Sequence, residues 1–173
     1  MRSIYIDDER LRLILELLTY ENYLVCCVAL QSGLRISDCL AITKKQIFQK
    51  SFTVIEQKTG KKRRVKLSAE LLTALRSVCG DVYVFEHRTH NSRHRTRQAV
   101  YNDIRRACKA LRIKGVVSPH SLRKHYAVEL MRNGVSVSDI QKSLNHSNDF
   151  VTLLYCLADN LELQATICNR AKK

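Results

Sequence analysis

The chain has 173 residues, 45% of them hydrophobic and 27% charged, which suits one globular domain with a real apolar core. Its 30 lysines and arginines stand against 16 acidic residues, a formal net charge of +14, and a domain this basic usually meets a polyanion, nucleic acid first among them. Several classes are excluded by the same inventory: no apolar run reaches membrane-spanning length, no Cys-x-x-Cys spacing marks a zinc site, and the glycines stand singly rather than in a nucleotide-binding loop.

In chain order, Asp7 or Asp8 caps a first helix with Leu11, Ile14, Leu15 and Leu18 at helical spacing. A strongly apolar second helix runs from about 21 to 31 and stops at Ser32-Gly33, glycine being suited to a helix C-terminus. A short helix starts near Ser37 and reaches Leu40. The pattern then changes. Phe52-Thr53-Val54-Ile55 is aromatic and β-branched, Arg64-Val65-Lys66-Leu67 alternates, and Thr59-Gly60 is a turn signal, so the stretch from 52 to 67 predicts a β-hairpin. Ser68-Ala69-Glu70 opens a helix closed by Gly80. Val82-Tyr83-Val84-Phe85 reads as a third strand and the His- and Arg-rich residues 87–97 as a loop, before Thr96 caps a long helix through about Arg112. The only proline, Pro119, follows Ser118 in the first turn of a helix through Asn133, where its missing N–H loses no hydrogen bond. Gly134 ends that helix, Ser136 or Ser138 starts the next through Leu144, and Asp149 starts one that carries Tyr155. A last helical segment follows Asn160 and ends basic. The expected fold class is α+β, mostly α-helical, one domain with a small three-stranded antiparallel sheet.

The seven cysteines, Cys26, Cys27, Cys39, Cys79, Cys108, Cys156 and Cys168, are odd in number and lie mostly in apolar helical stretches. They read as reduced, buried thiols of an intracellular, cytoplasmic protein. No signal-peptide pattern, lipidation signal or basic amphipathic helix suggests a membrane surface.

A set of residues able to handle a phosphodiester runs through the chain. Arg35, in Gly33-Leu34-Arg35, and Arg123, in His120-Ser121-Leu122-Arg123, offer planar guanidinium groups that match phosphate oxygens with paired hydrogen bonds. Asp38, three residues past Arg35, can orient it. His120 and Arg123 lie three apart on one helix face and can reach a common target, the histidine as proton acceptor or hydrogen-bond partner. Lys58 opens the hairpin turn and can bring a proton to a leaving oxygen, since a 5′-hydroxyl leaves poorly as an alkoxide. Tyr155 is a nucleophile once a base and nearby cations help remove its proton, and its attack would give a phosphotyrosyl ester that keeps the bond energy for rejoining. His146, nine positions before it, can hydrogen-bond the phosphate or the nucleophile.

Taken in order, Arg35, Lys58 in a hairpin turn, His120-x-x-Arg123, His146 and Tyr155 resemble the tyrosine recombinases of the phage integrase type, from about Gln31 to Tyr155. The resemblance implies the catalytic-domain fold of that family. It implies a site-specific recombinase or integrase in which Tyr155 forms a 3′-phosphotyrosyl link and releases a 5′-hydroxyl. Strand exchange would pass through a Holliday junction within a homotetramer on double-stranded DNA, with an accessory DNA-bending protein as a further partner. It implies no metal, no ATP and no cofactor. Residues 160–173 would form a tail exchanged between subunits, and the host would be a prokaryotic or viral element. Two departures stand out: Leu144-Asn145-His146 replaces the family's Leu-Gly-His, and only about thirty residues precede Gly33, so the N-terminal core-binding domain of the family is expected to be absent.

DNA contacts are expected from the hairpin, at Lys61, Lys62 and Arg63, and from the segment holding Arg93, Arg95 and Arg97, with phosphate contacts dominating. A relaxing enzyme of the type IB topoisomerase class would share the chemistry without synapsis, and a non-catalytic DNA-binding protein would share the fold. Retention of all six residues argues against the latter.

Overall fold

A computed structural model of the chain describes residues 3–144. The described residues form eight helices and four short strands, and the chain divides into two compact units, residues 1–126 and residues 127 onward. No described helix is long and apolar enough to cross a membrane.

The first unit is organised around α2 (Tyr20–Ser32), whose buried residues, Asn22, Leu24, Val25, Cys26, Val28, Ala29 and Ser32, cover a broad arc of its surface and leave Tyr20, Tyr23 and Gln31 exposed. So wide a buried face needs several partners, and α1 (Asp8–Glu16), α3 (Ile36–Leu40), α5 (Ala69–Ser77) and α6 (Arg97–Ala110) pack against it. The caps are those that local chemistry favours. Asp7 accepts from the Arg10 N–H at 2.9 Å, Ser68 from that of Leu71 at 3.2 Å and Thr96 from that of Ala99 at 3.2 Å. Helix α2 ends at Gly33 with φ 64°, a left-handed conformation that glycine adopts without penalty. Helix α6 ends two residues earlier than the sequence predicts, and Arg112 takes a positive φ of 53°. A four-residue helix, α4 (Lys44–Ile47), closed by a Thr43–Gln46 capping box, was not predicted.

Strands β1 (Phe52–Ile55) and β2 (Lys62–Val65) pair antiparallel with Phe52 opposite Val65 and Ile55 opposite Lys62. Phe52, Val54 and Val65 point into the core while Thr53, Lys62 and Arg64 are exposed, as the alternation predicts. The third strand does not form as expected. The segment from Val82 to Phe85 makes a single bridge, Tyr83 to Thr43, and the second sheet is the pair β3 (Glu86–His87) and β4 (His90–His94), within what the sequence suggested was a loop. Val84 and Phe85 are buried in succession, which an alternating strand cannot achieve. The Glu86 carboxylate accepts from the Val82 and Tyr83 N–H groups and folds the segment back on itself. The sheets are therefore two of two strands, not one of three.

Asp103 on α6 locks the junction between α1 and α2. Its carboxylate accepts from the Asn22 amide at 2.8 Å, from the Thr19 N–H and hydroxyl at 2.9 Å each, and from the Arg106 guanidinium at 2.6 Å. Burial alone would raise its pKa, but these donors outweigh it and hold the group at about 2. A carboxylate with a depressed folded pKa stabilises the protein above its unfolded value, and that contribution disappears as the pH falls through the folded one. The shift corresponds to roughly 2 kcal/mol at neutral pH. Asp103→Asn is accordingly expected to lower unfolding stability by about that amount at neutral pH and to flatten the loss of stability between about pH 4 and pH 2. Urea melts across this range, with the same acid limb in both proteins, would contradict the assignment.

Helix α7 (Pro119–Arg132) begins in the first unit. The Ser118 hydroxyl accepts from the His120 N–H, and the Ser121 hydroxyl accepts from the Ser118 N–H, both at 3.2 Å. Lys124 donates to the Ser3 carbonyl, and His125 stacks on Tyr5 and contacts the Ile6 carbonyl at 3.1 Å, so the N-terminal segment holds the start of the helix. In the second unit, Gly134 with φ 80° ends α7 as predicted, and Ser136 caps α8 (Val137–Leu144) through the Asp139 N–H. Of the cysteines, Cys26, Cys39 and Cys108 are buried and Cys27 and Cys79 half-buried, all five as free thiols. Cys156 and Cys168 lie outside the described residues.

Candidate active site

Arg35 leaves the core-facing end of α2 just after Gly33 and caps α3, while Arg123 lies one turn into α7. The fold brings them together. Both line an open cleft of about 390 Å³, with His120, Ser118, Tyr101 and Arg97 also on its walls. The guanidinium of Arg123 is only 2% exposed, and its Nη1 donates to the Gly33 carbonyl at 2.7 Å. Arg63 on β2 donates to the neighbouring Ser32 carbonyl. Two arginines thus satisfy carbonyls at the C-terminal end of α2, groups that have no partner inside the helix and that attract cations.

Arg35 is held by Glu56, which is fully buried at the end of β1. Its Oε2 accepts from Arg35 Nη1 at 2.6 Å and from the Thr59 hydroxyl at 3.0 Å, and its Oε1 lies 3.7 Å from Arg63 Nη1. Burial by itself would raise the Glu56 pKa, but the hydrogen bonds from Arg35 and Thr59 and the charges of Arg35 and Arg123 hold it below the usual range. The expectation that Asp38 orients Arg35 needs correction. Asp38 is buried and its Oδ1 accepts from the Gln57 N–H at 3.0 Å. It lies one helical turn beyond Arg35 and reaches the hairpin turn instead, and the carboxylate that grips the arginine comes from 21 residues away. The sequence clue was a lone glutamate at the end of the alternating β1 pattern, just before a run of cations.

The electrostatics of the cleft favour an anion. Desolvation first, then the neighbouring charges of Arg35 and Arg63, lower the Arg123 pKa to about 10, so the group remains charged at neutral pH but under strain from like charges. His120 is exposed, yet loss of water around its ring and then the charges of Arg123, Arg97, Arg35 and Lys124 hold its pKa below the ordinary value. A neutral imidazole beside two guanidinium groups can accept a proton, and a bound phosphate would relieve the repulsion among the cations.

Lys58 is exposed on the hairpin turn and is not among the residues lining the cleft. His146 and Tyr155 lie outside the described residues. Of the residues expected to contact DNA, Lys61, Lys62, Arg93 and Arg97 are exposed. Arg63 and Arg95 are not placed as expected. Arg63 turns inward to Ser32 and Glu56, and Arg95 forms an ion pair with Glu21, leaving each side chain less than a fifth exposed. The buried Glu56 carboxylate and the Ser32 carbonyl need partners, and the Arg63 guanidinium provides one, whereas Arg95 is drawn to a half-exposed glutamate.

A sequence model described as the phage integrase family matches residues 5–161. The chain is 25% identical over 152 residues to the TnP I resolvase of Bacillus thuringiensis, covering 83% of this chain and 52% of that protein. It is 32% identical over 130 residues to a tyrosine recombinase of Thermosipho africanus, covering 72% of this chain and 45% of that one. The chain spans about half the length of these relatives. Among solved structures, the XerH site-specific recombinase in a post-cleavage complex with its palindromic difH substrate superposes with a TM-score of 0.72 at 17% identity, over 95% of this chain and 52% of that one. That likeness establishes the catalytic-domain fold.

Proposed function

As this chain belongs to the phage integrase family, we propose that it cleaves and rejoins DNA at a specific recombination site through a tyrosine–phosphate ester. The observation that carries this reading is the meeting of Arg35 with His120 and Arg123, from two distant stretches of sequence, on one positively charged cleft. A phosphodiester under attack gathers charge on its non-bridging oxygens. Two fixed guanidinium groups, one held by Glu56 and the other by the Gly33 carbonyl, can receive that charge with little reorganisation.

Tyr155 is the nucleophile, attacking the phosphorus to leave a 3′-phosphotyrosyl link. His120 helps take the phenolic proton, and His146 hydrogen-bonds the phosphate. Lys58 gives a proton to the departing 5′-oxygen. Rejoining reverses these steps with the 5′-hydroxyl of another strand. Because the ester conserves the bond energy, rejoining needs no ATP, and the two guanidinium groups, not a metal, receive the developing charge. Four copies on two DNA sites carry the exchange through a Holliday junction, residues 160–173 pass between neighbouring copies, and an accessory protein bends the DNA. Exposed Lys61, Lys62, Arg93 and Arg97 contact the backbone, so binding weakens steeply with salt.

Nicked duplexes tiled from the DNA flanking the coding region test the reading. Incubated with the protein and run on a denaturing gel, one of them is expected to give a slow protein–DNA band that survives chelation of divalent ions. Salt-sensitive binding without any such band, or a requirement for magnesium in cleavage, would overturn it.

A further inference from the structure

Glu56 joins two parts of the site that the sequence leaves separate. Its main chain closes the turn that carries Lys58: the carbonyl accepts from Thr59 N–H at 3.2 Å and Gly60 N–H at 2.8 Å, and its own N–H donates to the Lys61 carbonyl at 3.0 Å. Its side chain, fully buried, takes Arg35 with Oε2, and the same oxygen accepts the Thr59 hydroxyl from inside the turn. Asp38 adds a second tie by accepting from the Gln57 N–H. The residues on either side of Lys58 are therefore fastened to the Arg35 segment, whereas Lys58 itself is exposed. An exposed lysine side chain has wide rotamer freedom and is useful as a proton donor only if its backbone is held in place.

We propose that Glu56 is a positioning residue that couples the Lys58 turn to the Arg35 phosphate clamp, so that proton delivery to the leaving oxygen is aligned with the phosphate the clamp holds. This rests on the proposed function of the site. The buried carboxylate also neutralises part of the charge of Arg35 and Arg63, which lets the two guanidinium groups sit near Arg123. Glu56 touches no reacting atom. Its effect passes through Lys58, and that gives a signature a merely structural residue lacks.

The signature is rescue by the leaving group. When the bridging 5′-oxygen of the scissile phosphate is replaced by sulfur, the departing group is a thiolate, which leaves without a proton donor. Lys58→Ala is expected to slow adduct formation about 100-fold on the oxygen substrate, the usual scale for a general acid, and only a few-fold on the sulfur substrate. Glu56→Gln is expected to follow the same pattern, with most of its deficit removed by sulfur. Since this variant alters a buried ion pair, Thr59→Val provides a second reading. Thr59 is exposed, and the substitution removes its hydroxyl link to Glu56 together with a long bond accepted from the Lys61 N–H at 3.4 Å within the same turn. A roughly tenfold slowing on oxygen, again relieved by sulfur, is expected. An equal deficit on both substrates, unimpaired cleavage by both variants, or failure of sulfur to rescue Lys58→Ala would each overturn the proposal. Absence of any adduct with the wild-type protein is a separate result, because it removes the strand-cleavage reading itself.

Discussion

Arg123→Ala is expected to reduce single-turnover DNA cleavage by about a thousandfold, the scale on which one preorganised donor to a developing oxyanion acts, while salt-dependent binding changes by much less. The guanidinium is buried, charged at neutral pH and already committed to the Gly33 carbonyl through Nη1. Its position is thereby set before a phosphate arrives. Most affinity for DNA is expected instead from the many exposed cations, through contacts to backbone phosphates. Arg123→Lys is expected to recover little, because an ammonium keeps the charge but not the planar fork that pairs with two oxygens. The rate of adduct formation on a nicked duplex and a gel-shift titration at two salt concentrations separate the two quantities. Unchanged cleavage would take Arg123 out of the site. A parallel loss of binding and cleavage would make it an ordinary backbone contact.

Tyr155→Phe is expected to eliminate the covalent adduct altogether while leaving binding intact, since the substitution removes one oxygen and nothing else. The free phenol has a pKa of about 10 and needs help to lose its proton near neutrality. The neighbouring cations that, after loss of water, further lower the pKa values of His120 and Arg123 would favour a phenolate brought beside them. A protein–DNA band that persists in this variant would place the nucleophile elsewhere.

Local chemistry made much of this protein legible in advance. The caps at Asp7, Ser68 and Thr96 and the end of α2 at Gly33 depend on side chains within a few residues of the group they satisfy, so they could be read directly. The β1–β2 hairpin followed from alternation and a turn signal. The segment at 82–85 misled because its β-branched composition reflects burial at Val84 and Phe85 rather than a ladder, and composition does not distinguish the two.

The ordered residues Arg35, Lys58, His120, Arg123, His146 and Tyr155 carried the resemblance to the phage integrase family, whose sequence model matches residues 5–161. Which charges stay exposed and which hold the fold was decided only in three dimensions. Arg63 and Arg95 read like their neighbours Lys62 and Arg93, yet one is turned inward by Glu56 and the Ser32 carbonyl and the other by Glu21. Glu56, isolated in a basic stretch, gains its role from Arg35, 21 residues earlier, and Arg123 finds its acceptor 90 residues away at Gly33. Sequence carries residue type and near-neighbour spacing. The pairing of buried charges depends on which distant segments the core brings together, because a charge removed from water must find its partner wherever the fold places one.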